Sequence, residues 1–378
     1  MVVGRIGPVS GDVLTRRALN RATLERQHLL RRSDLPVTDA VEHLVGMQAQ
    51  VPLNPYLGLW SRLRRFDPAE LSGLLVDRQL VRIVAMRATL HLLTAADGLL
   101  LRPLAQPVLD RELARHREYA PLLEGVGLDA VLSFARPLLA ERPRTGPQLR
   151  AALGERFPEH SPAALAYACR NLLAVVQVPP RGVWGRSGAV TSTTAEAWLG
   201  RPLVADPSID DVVLRYVAAF GPATVADVTT WSGLTGLREV VERLRPRLRA
   251  FRDERSREVF DLPEAPRPDP ATPAPARFLP EYDNVLLSHA DRGRFVPDGY
   301  PGALITGDRS VQGTVLHDGV LRGTWRIDRE ATGTAVLWID HALPIPKRAA
   351  AAVAAEGRRM LRFLAPDAAG DVRFAAVP

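Results

Sequence analysis

The stretch SIDDVVLRYVAAFGPATVADVTTWSGLTGLREVVERLRPRLRAFRDERSREVFDL, residues 208–262, decides the fold because helical and strand-like patterns follow one another in it. Ser208 can cap a first helix, and Gly221-Pro222 ends it. Thr224 can cap a short second helix and Thr235 a third. The apolar residues of the third helix recur at helical spacing: Leu237, Val240, Val241 and Leu244.

A hairpin follows these helices. The charged segment 253–257 lies between two strand-like runs, which predicts a hairpin tip. The runs contain Leu248, Phe251, Val259 and Leu262. A helix–turn–helix followed by a hairpin is typical of a winged helix. We therefore expect a winged-helix domain over residues 205–262.

The same order of elements occurs upstream. Thr145-Gly146-Pro147 and Ser161-Pro162 are typical helix starts, with proline in the first turn. Val175–Val178 predicts a strand after these helices. We expect Pro179–Gly182 to form the turn of the wing and Val183-Trp184 its return strand.

A further copy comes first in the chain, over residues 10–121, and is more diffuse. Its helices are expected near 14–31, 39–47, 55–64 and 68–77. Residues 79–93 predict two strands around Met86-Arg87. With the copy over residues 122–204, the chain is expected to contain three winged-helix domains in tandem.

The last part of the chain, residues 263–378, has a different pattern. Six prolines within 263–276 predict an extended linker or strut. Residues 277–345 are β-rich, with turns expected at Asp298-Gly299, Gly307-Asp308 and Asp318-Gly319. A helix near 347–364 and a strand near 372–377 follow. The fold class is therefore α+β: three tandem winged helices and a C-terminal β-rich region.

Composition narrows the class of protein further. The 378 residues are enough for two to four domains, and 46% hydrophobic residues allow each domain a core. No apolar run approaches the ~18 residues of a membrane span, and the first residues lack the core of a signal peptide. The single cysteine, Cys169, excludes an internal disulfide and a zinc site built from several thiolates. We expect a cytoplasmic, nucleoid-associated protein without membrane contact.

The charge distribution favours a polyanionic partner. Residues 1–259 contain 35 basic and 27 acidic side chains, whereas residues 260–378 contain 14 and 15. All basic residues except Lys347 are arginines, which a high-GC genome explains, but codon usage does not explain why the excess avoids the last third. Together with winged helices, this charge predicts binding to duplex DNA. Protein interaction is an alternative use of the same fold.

Motifs of common catalytic centres are missing from the sequence. It contains no Gly-rich phosphate loop ending in Lys-Ser/Thr, no His-Glu-x-x-His and no Gly-x-Ser-x-Gly. We expect no cofactor and no metal. Asp283, His289 and Asp291 could bind a metal, but we favour their being ordinary polar groups of a β-rich surface.

The segment GMQAQVP, residues 46–52, is unusual because it places two glutamines, Gln48 and Gln50, at the end of an amphipathic helix. Two amides so close together could hold one small group between them. Spacing alone favours a simpler role, in which the amides cap free helix carbonyls.

A resemblance to a known family changes that assessment. It is carried by QAQVPLNPYLGLWSRL, RATLHLLTAAD, PPRGVWGRSG, FGPATVADVTTWSGL, LPEYDNVLLSHADRGRF and GTVLHDGVLRGTW. Across most of residues 14–340 the chain resembles the bacterial winged-helix DNA glycosylases related to AlkZ. Gln48-Ala49-Gln50 is similar to the Gln-x-Gln motif of the AlkZ-like branch, whereas the branch nearer YcaQ has Gln-x-Asp.

The resemblance implies excision of bulky N7-alkylguanine adducts, and in some members of interstrand crosslinks. It also implies a C-shaped arrangement of three winged helices with a basic concave face. In antibiotic producers such enzymes confer self-resistance. The partner is then duplex DNA carrying alkylated purines, without a required protein partner, and we expect a monomer.

Hydrolysis of such an adduct is compatible with a site that contains two amides and no carboxylate. An N7-alkylated guanine is already cationic and leaves without a general acid. We therefore assign Gln48 and Gln50 to positioning the attacking water and stabilising the oxocarbenium-like sugar. Strand cleavage would need an amine nucleophile. Because Lys347 is far in sequence from the glutamines and the N-terminal segment is expected to be disordered, we predict a monofunctional enzyme.

Other candidate DNA-binding residues carry weaker signals. Arg87 and Thr89 could grip phosphate, and His91 could approach the lesion, although these residues could also alternate on a half-buried strand. A dense polar run favours a surface site near DNA, with a hydrogen-bonded turn as the alternative. It contains Tyr282, Asp283, Asn284, His289 and Arg292.

Two classes of non-catalytic protein compete with this prediction. The first is a winged-helix transcription regulator, but such regulators are usually symmetric dimers, a design that three different winged helices do not suit. The second is a protein-interaction scaffold, against which the basic charge of residues 1–259 argues. An inactive member of the family would keep the fold without the activity.

Overall fold

A computed structural model describes residues 13–301, 312–331 and 333–377. The α-helices are α1 (Arg16–Arg26), α2 (Val37–His43), α3 (Asn54–Arg62), α4 (Pro68–Val76), α5 (Ala95–Leu104), α6 (Gln106–Arg115), α7 (Leu128–Glu141), α8 (Gly146–Arg156), α9 (Pro162–Leu172), α10 (Ala195–Leu199), α11 (Ile209–Phe220), α12 (Val225–Ser232), α13 (Leu237–Leu244), α14 (Asn284–Leu287) and α15 (Lys347–Leu364). The strands are β1 (Val13–Leu14), β2 (Met47–Gln48), β3 (Leu80–Val84), β4 (Leu90–Thr94), β5 (Arg144–Thr145), β6 (Val175–Gln177), β7 (Thr191–Thr194), β8 (Arg249–Asp253), β9 (Glu258–Asp261), β10 (Arg277–Leu279), β11 (Gly313–His317), β12 (Val320–Arg329), β13 (Ala335–His341) and β14 (Gly370–Ala376). The expected α+β class is confirmed.

The chain forms two compact units. The central unit comprises Asp34–Ile209 and Thr229–Thr235, and the flanking unit comprises the chain up to Ser33, Asp210–Val228 and Gly236–Pro378. None of the described helices combines the length and the apolar composition that crossing a bilayer requires. The N-terminal residues 1–12 and the expected turn at Gly307-Asp308 lie outside the described residues.

The central unit is built around one six-stranded sheet with the order β2-β4-β3-β6-β7-β5. The expected hairpin around Met86-Arg87 is confirmed, with β3 and β4 paired antiparallel from Leu80 to Val84. This hairpin pairs in turn with β6 through Arg82 and Gln177. Strands expected in two separate winged helices therefore belong to one continuous sheet.

The wing of the second copy differs from the prediction. The strand that pairs with β6 is β7, not the expected strand at Val183-Trp184. These two residues lie in the loop between β6 and β7. Three glycines in this loop weaken a strand there, whereas the β-branched threonines of β7 fit one. The Trp184 ring instead packs on Tyr56, with 5.0 Å between the ring centroids.

The expected helix starts of the second copy are confirmed. Thr145 and Gln148 form a capping box, in which each side chain accepts a hydrogen bond from the other residue's backbone N–H. Ser161 caps α9 by accepting from the Ala164 backbone N–H at 3.4 Å. The caps fix where α8 and α9 begin. The apolar faces of these two helices and of α7 pack together in a core that contains Cys169.

The flanking unit contains the elements predicted for the third copy. Thr224 caps α12 by accepting from the Asp227 N–H, and β8 and β9 form the expected hairpin. At its tip, Asp253 accepts hydrogen bonds from Arg255 and Arg257. The N-cap of α13 is Gly236 rather than Thr235, because a residue with φ of 77° fits the turn before this helix.

A five-stranded sheet with the order β10-β11-β12-β13-β14 forms the C-terminal part of the flanking unit. The predicted hairpin of β11 and β12 is confirmed, and Asp318 and Gly319 both have positive φ angles at its turn. The expected helix near 347–364 is α15, which packs on this sheet. The predicted last strand is also confirmed as β14.

A buried ion pair links α1 to the hairpin of β8 and β9. Asp261 accepts two hydrogen bonds from the Arg26 guanidinium at 2.7 and 2.9 Å and a third from Arg267 at 2.6 Å. The side chains of Arg26 and Asp261 are 1% and 0% exposed. Removing one partner would leave a buried charge without compensation.

We therefore expect Asp261→Ala to lower the free energy of unfolding by about 3–5 kcal/mol, measured by urea unfolding followed by circular dichroism. The matched control is Asp210→Ala, which breaks the exposed pair with Arg243 and should leave the unfolding midpoint almost unchanged. Equal effects of the two substitutions would contradict the importance of the buried pair.

Candidate active site

The segment that contains both glutamines begins at a backbone position that only glycine fits. Gly46 has a φ of 89°, and a Cβ there would lie 2.2 Å from Leu93 Cδ2. The helix expected over 39–47 ends earlier, at His43, and Met47-Gln48 forms a short strand instead. Gln48 pairs with His91 on β4, so the catalytic candidate lies on the hairpin of β3 and β4.

Arg87, at the tip of this hairpin, holds the Gln48 side chain. Its Nη2 donates to Gln48 Oε1 at 3.0 Å. Because a guanidinium only donates hydrogen bonds, the amide oxygen of Gln48 must face Arg87. Both Arg87 and Ala88 have left-handed backbone angles, with φ of 54° and 56°. The structure thus brings Gln48 and Arg87 together and gives neither glutamine the expected alternative of capping a helix.

A buried arginine holds the backbone between the two glutamines. Arg82 Nη2 donates to the Ala49 carbonyl at 2.9 Å, while the Ala49 N–H donates to the Leu90 carbonyl at 2.7 Å. Arg82 is 2% exposed. Burial, and then the charge of Arg181, lowers the pKa of Arg82 to about 10, so the guanidinium is still cationic at neutral pH.

Gln50 lies in a different environment from Gln48. Whereas Gln48 is 7% exposed, Gln50 is exposed and lines a pocket of about 130 Å³. The other lining residues are Arg82, Val84, Leu90, Arg170, Gln177, Arg181 and Val190. Sequence reasoning missed the three arginines of this pocket. An arginine in the middle of the apolar strand LVRIV was the one available signal for Arg82.

His91 is buried beside this site. Its Nδ1 lies 2.9 Å from the Thr89 carbonyl, an acceptor, so the proton is on Nδ1. Burial and the nearby charge of Arg87 lower the pKa of His91 to about 3, which keeps the imidazole neutral at neutral pH. Thr89 donates through Oγ1 to the Met86 carbonyl at 3.1 Å. DNA contacts by Arg87, Thr89 and His91 stay predictions.

The polar run at 282–292 belongs to the flanking unit, and the expected surface site is wrong for three of its members. Asp283, Asn284 and His289 are buried. Asp283 caps α14, and His289 Nε2 lies 3.1 Å from the Phe220 carbonyl, which agrees with the alternative of a hydrogen-bonded turn. Tyr282 and Arg292 are partly exposed, and their contact with DNA stays a prediction.

Within the described ranges, no three histidine, cysteine or carboxylate side chains lie close enough to hold a metal ion. Asp283 and Asp291 each accept a hydrogen bond from a backbone N–H two residues ahead. Asp291 also pairs with Arg255 and Arg257. These side chains therefore have structural partners.

Comparison with known proteins places this arrangement in a family. The model of the AlkZ-like DNA glycosylases matches residues 41–363. The chain belongs to the AlkZ-like DNA glycosylase family. It is 26% identical over 346 residues to an interstrand DNA cross-link repair glycosylase of Streptomyces sahachiroi, covering 82% of this chain and 88% of that protein. Its fold matches the solved structure of the DNA glycosylase AlkZ from the same organism with a TM-score of 0.74 and 21% identity, over 96% of this chain and all of the other.

Membership in the AlkZ-like family makes the chain a DNA glycosylase that acts on DNA. In the part of this glycosylase that the structure describes, no carboxylate is hydrogen-bonded to the amide of Gln48 or Gln50. An amide-based site is therefore the feature for which a mechanism must account.

Because the pKa of His91 lies far below its ordinary 6.5, the folded protein binds fewer protons than the unfolded chain between these values. Above pH ~6.5 His91 therefore does not affect the free energy of unfolding. As the pH falls from 6.5 towards 3, the unfolded chain gains a proton that the folded protein does not, and the free energy of unfolding decreases. We expect the His91 imidazole NMR signal to stay constant from pH 8 to 5. In urea-unfolded protein the same signal should titrate near pH 6.5. An inflection near 6.5 in the folded protein would contradict the neutral, buried assignment.

Proposed function

We propose that this DNA glycosylase hydrolyses the N-glycosidic bond of cationic N7-alkylguanine adducts in duplex DNA, bulky adducts included. The observation that carries the proposal is the pair of amides at Gln48 and Gln50, one fixed by Arg87 and the other exposed beside three arginines. Such a site offers hydrogen bonds and dipoles but no strong acid. That limitation suits a base that already carries a positive charge.

Hydrolysis of such an adduct requires little proton transfer. The alkylated guanine leaves as a neutral base, and the electron pair of the glycosidic bond neutralises its cationic ring. The sugar becomes oxocarbenium-like and is attacked by water, which loses a proton to solvent. The enzyme has to place the water and favour the developing positive charge, both of which preorganised amide dipoles achieve.

The geometry suggests different roles for the two glutamines. Gln48 Oε1 already accepts from Arg87, whose charge disfavours a cation at the same oxygen. Gln48 therefore orients the water through its amide, and Arg87 is a positioning residue. The exposed Gln50 supplies the amide oxygen that accepts a hydrogen bond from the water and faces the sugar, while the proton of the water still leaves to solvent.

The wider role is also a proposal. The similar protein of Streptomyces sahachiroi is named an interstrand cross-link repair glycosylase, which supports unhooking of crosslinks here. We also propose that the enzyme serves alkylation repair or self-resistance to a genotoxic natural product. We propose that the DNA is bound by three tandem winged helices, over 10–121, 122–204 and 205–262, which the β-rich region 263–378 follows in the chain. The enzyme is proposed to act as a cytoplasmic monomer at the nucleoid.

Base release from duplex DNA containing N7-methylguanine or a bulkier N7 adduct tests the catalytic assignment. We expect Gln50→Ala and Gln48→Ala to slow single-turnover release by roughly 10²-fold, the usual cost of removing one preorganised polar group, while DNA affinity persists. The control is Gln79→Ala, an exposed glutamine of the same unit. Unchanged release in both site variants would exclude this role for the amides. Absence of release by the wild type, with tight binding to ordinary duplex, would instead favour a regulator.

A site without a general acid should discriminate against neutral lesions and leave the strand intact. We expect release of hypoxanthine or uracil to be at least about 10²-fold slower than that of N7-methylguanine, the size of a typical acid–base contribution. No covalent adduct should form with borohydride, since the chain's one lysine, Lys347, is far in sequence from the glutamines. Trapping of a protein–DNA adduct would show a lyase activity and contradict the monofunctional assignment.

A further inference from the structure

Three arginines line the pocket of Gln50 without a counter-charge. Among the described residues, no carboxylate lies within ion-pairing distance of Arg82, Arg170 or Arg181. Arg82 donates to the Ala49 carbonyl at 2.9 Å and to the Arg181 carbonyl at 3.4 Å. The other two also bond to backbone oxygens, Arg170 to Ala88 at 3.3 Å and Arg181 to Gly188 at 3.2 Å. Their positive charges are therefore not neutralised by the protein.

Several arginines of low exposure elsewhere in this chain pair with a carboxylate, whereas among the described residues buried Arg102, like Arg82, donates only to uncharged oxygens. Arg82 differs from Arg102 in lining a pocket together with two further arginines. Arg26 forms a bidentate pair with Asp261, and Arg32 contacts Glu356 at 2.6 Å. Because burying a charge without a partner is costly, the arrangement at Arg82 needs an explanation that these pairs do not. Binding of an anion from outside the chain supplies one.

The pocket is shaped to keep the Arg82 guanidinium in place. Gly182, with a φ of 93°, packs directly on it, and a Cβ there would lie 2.9 Å from Arg82 Cδ. The Gly182 carbonyl accepts from the Tyr56 hydroxyl at 2.8 Å, which fixes this backbone. The free volume of about 130 Å³ equals that of roughly four liquid waters, enough for a phosphate group.

We propose that this pocket binds one backbone phosphate of DNA, next to the nucleotide whose base is released. Guanidinium groups match phosphate oxygens in geometry and charge, and the DNA backbone supplies a monoanion at every linkage. This inference rests on the proposed function and identifies which part of the substrate binds in the pocket that Gln50 lines. Arg82 would then have two roles, because the guanidinium that contacts the phosphate also donates to the Ala49 carbonyl.

Binding to duplexes with single neutral linkages tests the proposal. The probe is a duplex with a tetrahydrofuran abasic analogue, in which a methylphosphonate replaces each flanking phosphate in turn, and its Kd is measured by fluorescence anisotropy. For the wild type we expect one linkage to weaken binding about tenfold, as for a lost hydrogen bond to a charged group. Arg181→Gln should weaken binding to the all-phosphate duplex similarly and show almost no further loss at that linkage.

The control variant is Arg136→Gln, an arginine of the same unit that pairs with Glu196. It should respond to the methylphosphonate as the wild type does. If the losses from Arg181→Gln and from the neutral linkage multiply at every position, the proposal is overturned. Because Arg82→Gln removes a buried side chain and can unfold the site, Arg170→Gln is the second variant and is expected to behave as Arg181→Gln does.

Competition with inorganic phosphate distinguishes a DNA phosphate from a free anion. Inorganic phosphate should compete only weakly with DNA; if it stabilises the protein strongly while no neutral linkage weakens binding, the pocket is a site for a free anion and the proposal fails. The binding assay does not depend on base release. A linkage effect without release would contradict the proposed function alone, whereas release without a linkage effect would contradict the phosphate site alone.

Discussion

The two backbone hydrogen bonds of one residue, Ala49, determine how the candidate site is arranged. Its N–H is bound by the Leu90 carbonyl on β4, and its carbonyl by the buried Arg82 of β3. A segment held from both sides cannot rotate without breaking a hydrogen bond in a buried region. The glutamines before and after Ala49 therefore keep separate environments, Gln48 against Arg87 and Gln50 in the arginine pocket.

The hairpin tip adds a second constraint. Arg87 and Ala88 occupy the two left-handed positions of a turn that favours asparagine and glycine. Each such residue costs on the order of 1 kcal/mol. The bond from Arg87 to Gln48 Oε1 depends on this turn, because the turn aims the arginine back at β2. Strain at this place therefore accompanies the positioning of an amide, which agrees with the tendency of strain to accumulate at functional sites.

Local signals make much of the fold predictable, whereas the site depends on pairing between distant segments. The residues at the turn predict the Asp318-Gly319 hairpin, and the spacing of apolar residues predicts helix α15. The prediction of a strand at Val183-Trp184 is wrong because a tryptophan beside a valine suits β-structure, although the surrounding glycines favour a loop. The glutamines stand out through their motif. The apolar neighbours of Arg82 in LVRIV are the one local signal for this arginine, and its burial follows from pairing of β3 with both β4 and β6.

The charge of the pocket affects how well an amide at Gln50 could stabilise a positively charged sugar. With the pocket empty, three guanidinium groups make the surroundings of Gln50 positive, and a positive field opposes an oxocarbenium-like sugar. A phosphate in the pocket would cancel much of that field and leave the Gln50 dipole as the closest group to the sugar. Catalysis would then improve only once the strand is seated, so the binding energy of the backbone would be used in the transition state. A carboxylate at Gln50 would remove this dependence by pairing with the arginines and closing the pocket to phosphate.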